Sequence, residues 1–242
     1  MASSTSTFVE VRSQAFHTEF EIICRDIQDS VLPNIIAPWA DDDALGQQWK
    51  DQGIYHLIKL FDRPLVMDRS LLAAALCFWL SATNTMNFRF GMMTPTVLDM
   101  AALFSLSPLG VEVNATLVAP EVEGSFKTMW PALTRHARNK AKNMLNYSSF
   151  YNNFGVEDSV EDDVIAPLGE VEHAAFLLYW LCKFVFCTQA TLEFAHLADY
   201  LAQGGRLALG PFLLGHIYRT LHDIVTDGMK PKHGGPLWAF QF

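Results

Sequence analysis

Two Glu-x-x-His motifs, Glu170-Val-Glu-His173 and Glu193-Phe-Ala-His196, come closest in this sequence to a reactive centre. A spacing of three sets a carboxylate and an imidazole on one helical face, as carboxylate-bridged di-iron bundles require, but such a bundle also needs glutamates from two other helices. Glu170 stands at a helix start, where the dipole favours an acid without any metal. Capping and solvated helix faces are therefore the expected roles, and no metal is expected. Lys183 lies inside an aromatic segment, where desolvation could prepare an amine for Schiff-base chemistry. A pyridoxal enzyme would also need a phosphate cradle, and GGRLALGP (204–211) lacks the Gly-Lys-Ser/Thr ending of a P-loop. The Lys183 stem is instead expected along apolar surface with its ammonium in water or on an acid. His136, His216 and His222 accompany neither a Gly-x-Ser-x-Gly elbow nor a His-Glu-x-x-His helix. No cofactor is expected, and the chain is read as non-enzymatic.

With 242 residues, half of them apolar, the chain can bury the core of one domain or of two closely packed lobes. The net charge of -9 opposes a general grip on nucleic-acid phosphates. A local exception is RHARNKAK (135–142), which aligns Arg135, Arg138 and Lys142 on one helix side and could meet phosphates or an acidic partner. Arg206 and Arg219 are embedded in apolar sequence and are expected to pair with acids or helix ends inside a bundle. Trp238, in the apolar end LWAFQF, is expected to be exposed and, with these five basic residues, to contribute partner contacts. Ending on such residues predicts that the natural protein continues beyond Phe242.

Cys24, Cys77, Cys182 and Cys187 sit in apolar helical patterns without C-x-x-C pairing and are read as buried reduced thiols. MASSTSTFVEVR lacks the charged flank and apolar run of a secretory signal, and the acceptor patterns at Asn114 and Asn146 are given no role. The most apolar window, HAAFLLYWLCKFVFC, is interrupted by Lys183 and shorter than the roughly 20 residues of a bilayer span. A buried core helix is expected there, and no membrane contact.

These side chains must be positioned by helices. Phe16, Phe20, Ile23 and Ile27 recur at helical spacing, and Pro33 ends that pattern. Trp49, Ile54, Leu57, Ile58 and Phe61 predict one helix despite Gly53. Asp68 is the expected N-cap of a third, with Leu72, Leu76, Trp79 and Leu80 inward and Asn84 and Asn87 at its end. In FRFGMMTPTVLDMAALFSL, Gly91 can turn the chain, Thr94 can cap, and Pro95 can open a helix that buries Val97, Leu98, Ala101, Ala102 and Phe104. Val111, Val113 and Leu117 suggest a short ribbon. A helix is expected over 125–147, and an exposed acidic loop over 152–167. Helices then follow over 170–187, 191–203 (stopped by Gly204-Gly205) and 209–225. The fold expected is mainly α, a compact helical domain with at most a small β-ribbon around 87–113. Its core should hold Trp79, Leu98, Phe104, Phe176, Trp180, Leu181, Phe184, Leu213 and Ile217.

Five ordered blocks resemble the plant mobile domain family, whose members also carry an aminotransferase-like label: WKDQGIYHLIKLF, FRFGMMTPTVLDMAALFSLSPLGVEV, HAAFLLYWLCKFVFC, LADYLAQGGRLALGPFLLGHIYRTL and GGPLWAFQF. The resemblance implies a domain over 45–242, C-terminally truncated, with residues 1–44 as a helix and loop packed on it or flanking it. It departs from the family at Gly91-Met92-Met93-Thr94, where the usual turn reads Gly-Glu-Met-Thr, so no role is carried over for that acid. No lysine stands in a block that matches a pyridoxal site. The resemblance further implies a transposon-derived or domesticated plant nuclear protein acting in transposon silencing, gene expression and meristem maintenance. It implies a protein partner, in some relatives a type 7 class plant serine/threonine phosphatase. Nucleic-acid binding through Arg135, Arg138 and Lys142 is the competing expectation.

Overall fold

Gly53 decides how the first described stretch folds. At φ 75° it takes a left-handed conformation that ends α1 (Asp43–Gln52) and lets α2 (Tyr55–Leu60) start in a new direction. The single helix expected across Gly53 is therefore two, although all five apolar residues that suggested it are buried. The computed structural model describes residues 43–61, 68–113, 145, 169–227 and 235–242. The expected N-terminal helix, Cys24, His136, the acidic segment 152–167 and, apart from Leu145, the helix over 125–147 lie outside the described residues. Eight α-helices and one small antiparallel sheet occur among those described, so the fold is mainly α with a small ribbon. Chain contacts divide it into two compact units, Met1–Pro108 with Gly210–Phe242, and Leu109–Leu209.

In the first unit, Asp68 caps α3 (Arg69–Phe78) by accepting from the Leu71 amide at 2.9 Å. The helix stops earlier than its apolar pattern suggests. Trp79 turns to extended backbone and begins β1 (Trp79–Leu80), which pairs with β2 (Thr85–Phe88), itself paired with β3 (Gly91–Met93). Asn84, at φ 52°, lies in the turn between β1 and β2. The expected ribbon around 87–113 thus forms over Trp79–Met93, its last two strands overlapping that range. Trp79 is buried against Tyr218 and Phe240, at ring distances of 5.8 and 6.3 Å, while Leu80 on the opposite sheet face is exposed.

Helix α4 (Val97–Phe104) is capped by Thr96 rather than Thr94. The Thr96 hydroxyl accepts from the Asp99 amide at 3.3 Å, and the Asp99 carboxylate accepts from the Thr96 amide at 2.6 Å, a reciprocal box. Thr94 acts over a longer range, its hydroxyl reaching the Asn84 carbonyl at 2.7 Å and the Tyr218 hydroxyl at 2.8 Å. The Tyr218 hydroxyl donates to the Pro95 carbonyl, so the single Thr94 proton is shared between Asn84 and Tyr218. The chain leaving the hairpin is thereby held to α7 (Leu209–Asp227), whose inward face is Leu213, Ile217, Leu221 and Ile224 as expected. Replacing Thr96 by alanine should cost about 1 kcal/mol of stability in urea denaturation. Thr96→Asn, which can still accept from Asp99, should restore most of it.

Among the described residues, the second unit holds a helical hairpin. Helix α5 (Glu170–Trp180) runs without interruption into a π-helical turn (Leu181–Val185), and nearly every side chain from His173 to Phe186 is buried. This is the fully apolar helix its sequence predicts. Cys187 ends it at φ 49°. A short 3-10 turn (Leu192–Phe194) leads into α6 (Ala195–Ala202), which packs along α5 and stops at Gly204, φ 89°. Val111 and Leu207 form a parallel bridge, and Leu145 and Ala190 an antiparallel one. Of the core expected from sequence only Leu98 is misplaced; at 78 % exposure it faces away from the buried Met100 and Phe104.

Candidate functional site

Among the described residues the Glu-x-x-His motifs bring no metal ligand set together. His173 is buried on α5, Glu193 is exposed, and His196 on α6 leaves its Nε2 buried without a hydrogen-bond partner. The Glu170 side chain lies outside the described ones. Among the described residues no three His, Cys, Asp or Glu side chains gather where they could share a metal ion. Lys183 is half-buried in the π-helical turn, where its charge favours the Cys187 thiolate, but burial dominates and pushes that thiol up to about 12. Burial likewise raises Cys182 to about 12, against a hydrogen bond from the Thr191 backbone. Neither thiol is prepared as a nucleophile. Cys77 is exposed on α3 and not buried as expected, because only Leu72 and Leu76 of that helix point inward.

Burial lowers the His173 imidazole to about 4. The folded state therefore holds it neutral while the unfolded chain protonates it near its ordinary pKa of about 6.5. Its contribution to stability is present above about 6.5 and is lost as pH falls towards 4. Neighbouring Glu172 is raised by burial, partly offset by a backbone hydrogen bond from Gly169, and so works in the opposite direction at the acid end. Thermal midpoints should fall between pH 6.5 and 4, and His173→Gln should flatten that fall. An unchanged slope would assign it to other groups.

Of the expected contact residues, Arg135, Arg138 and Lys142 lie outside the described residues. Arg206 and Arg219 are exposed and, among the described residues, meet no acid. Arg206 stands in the turn before the Val111–Leu207 bridge, its carbonyl accepting from the Val111 amide at 2.9 Å. Arg219 lies on the side of α7 away from Leu213, Ile217 and Leu221. Neither is inside a bundle as expected: with no acid among the described residues to repay desolvation, the guanidinium groups stay in water. Trp238 is corrected the other way. It is 1 % exposed, with Phe61 and Phe104 at ring distances of 5.0 and 5.3 Å. Its helix, α8 (Leu237–Phe240), is a core element, not a docking end.

Exposed apolar surface lies elsewhere. Leu80, Phe90, Met92, Met93, Leu98 and Leu103 are all exposed on the hairpin and the outer side of α4. Phe78, Phe88 and Phe90 form a row, with ring distances of 5.0 and 5.2 Å, that ends at the hairpin tip in Phe90, 80 % exposed. Arg89, exposed and between Phe88 and Phe90 in sequence, is the sole charged residue from Trp79 to Thr96. FRFGMM reads as a turn and helix entry with at most a small ribbon, a pattern that does not show which of its apolar side chains stay exposed. The alternation of Phe88, Phe90 and Met92 across an Arg-Phe turn was the available signal. Capping of α4, the αL turn at Asn84 and the Thr94–Tyr218 contact together hold the hairpin against α7.

No curated protein and no solved structure matches the chain. The family model described as plant mobile domain matches residues 53–242, which include the hairpin, α4, α5, α6 and the closing α8. Most of the sequence is thereby accounted for, and the chain belongs to the plant mobile domain family.

Proposed function

We propose that this chain is a non-catalytic protein-interaction domain of a transposon-related or domesticated plant nuclear protein, serving transposable-element silencing and the regulation of gene expression, including in meristems. The observation that carries the recognition part is the concentration of exposed apolar side chains on the hairpin and α4, led by Phe90, Met92 and Leu98. A folded domain that leaves such residues in water without burying them elsewhere has a surface suited to a partner. Family membership supports the transposon-related setting. A type 7 class plant serine/threonine phosphatase is the proposed partner, and the nucleus the proposed compartment.

Affinity purification of the tagged chain from nuclease-treated plant nuclei, followed by mass spectrometry, tests this reading. A protein recovered in stoichiometric amount is expected. Recovery of nothing, or of metabolic enzymes alone, would remove the reading, and a partner lost on nuclease treatment would point to nucleic acid.

A further inference from the structure

The two-residue turn Arg89–Phe90 closes on Phe88 and Gly91, and the ladder continues through Asn87 opposite Met92 to Met86 opposite Met93. In an antiparallel ladder bonded and non-bonded pairs alternate, and the pair next to a two-residue turn is bonded. Asn87 and Met92 are therefore a non-bonded pair, and Met92 directs its N–H and C=O away from β2. Sheet order is β1-β2-β3, so β3 is an edge. Outside the β2–β3 ladder no hydrogen bond reaches the Met92 backbone among the described residues, and its side chain is 69 % exposed. An open edge of this kind is a template for another extended strand.

Charge narrows the choice of strand. Arg89, between Phe88 and Phe90 in sequence, is exposed and is the hairpin's sole charge, on a chain whose net charge is -9. A second copy pairing antiparallel about Met92 would set Arg89 opposite Pro95 and supply no carboxylate, and both copies would carry the same negative charge. One arginine is also a poor substitute for the several phosphate contacts that nucleic acid needs. A partner that satisfies Met92, covers Met93 and Phe90 and neutralises Arg89 is an extended acidic peptide with alternating apolar residues.

We infer that β3 is a docking edge for such a segment of another protein, which adds as a fourth strand through the Met92 backbone and places a Glu or Asp against Arg89. This rests on the protein-recognition reading and specifies where and how recognition occurs. Random peptides displayed on phage and selected on the intact chain provide the probe. Enriched peptides should carry an acid beside alternating apolar residues. Met92→Pro removes the outward N–H at an edge position where proline is tolerated, and should weaken their binding by at least about tenfold. Arg89→Glu, at an exposed turn, should invert the preference towards Lys or Arg, which checks the site even if the proline variant unfolds. Failure to enrich, or enriched peptides that bind both variants as well as the native sequence, would overturn the inference. So would a labelled single-stranded oligonucleotide whose binding depends on Arg89 and Phe90. If a nuclear partner is captured equally by native and variant chains, the docking edge is wrong while protein recognition stands. If the native chain captures none, both fall.

Discussion

Replacing Trp238 by alanine is expected to remove about 3–5 kcal/mol of stability, the cost of truncating a large aromatic in a packed core. The indole is fully enclosed, edge-on to Phe61 and Phe104, in the last short helix of the chain. Domains of this size are typically stable by about 5–15 kcal/mol, so the variant should melt far lower and unfold at much lower urea concentration. Trp238→Phe keeps much of the apolar area and should recover a large part of the loss. A Trp238→Ala chain within about 1 kcal/mol of the native sequence would show that α8 is dispensable. It would also revive the reading of Trp238 as a surface contact. The burial depends on a close approach nearby: a Cβ on Gly235 would collide with the Thr220 side chain, which is itself buried on α7. That glycine lets the final turn of chain lie against the helix.

Gly53→Ala is expected to cost about 2–4 kcal/mol, from two effects that add. The residue sits at φ 75°, where an L side chain is strained, and a Cβ there would stand 2.8 Å from the Ser105 carbonyl oxygen and 3.3 Å from the Ser107 amide. Both are backbone atoms, so no side-chain rotation can relieve the contact. Gly204 makes a useful comparison: it too has positive φ, 89°, but a Cβ there meets nothing within 4 Å. Gly204→Ala should lose the strain component alone, about 1–2 kcal/mol. Chemical denaturation of the two variants side by side separates strain from collision, and equal losses would contradict the close packing of Gly53 on the turn after α4.

Both substitutions probe places where periodicity and tertiary packing disagree about one residue. Helix α4 is the clearest instance, because VLDMAALF is apolar on more than one side and no periodicity can choose between Leu98 and Met100. The structure chooses Met100 and Phe104, leaving Leu98 and Leu103 in water. At the start of the same helix two threonines compete for the cap. Thr96 wins because Asp99 lies three residues on and can return the bond to its amide, a pattern that was legible in the sequence. Thr94 is left to reach across to Tyr218, a contact spanning more than a hundred residues that no local pattern contains.

Residue order was enough to set the helical class, the inward stripe of α7, the enclosed character of α5, the cap at Asp68 and the stop at Gly204, together with membership of the plant mobile domain family. Each structural feature among these follows from side-chain spacing or from one residue's backbone preference, which are local properties. Packing between distant segments was needed to make Trp79 leave its helix for a strand, to enclose Trp238 while Arg206 and Arg219 stayed in water, and to leave Phe90, Met92 and Leu98 exposed. Those outcomes depend on which distant surface a side chain finds and on whether a buried charge finds a partner. Apolar content records that a residue can be buried; only the packed neighbours record whether it is.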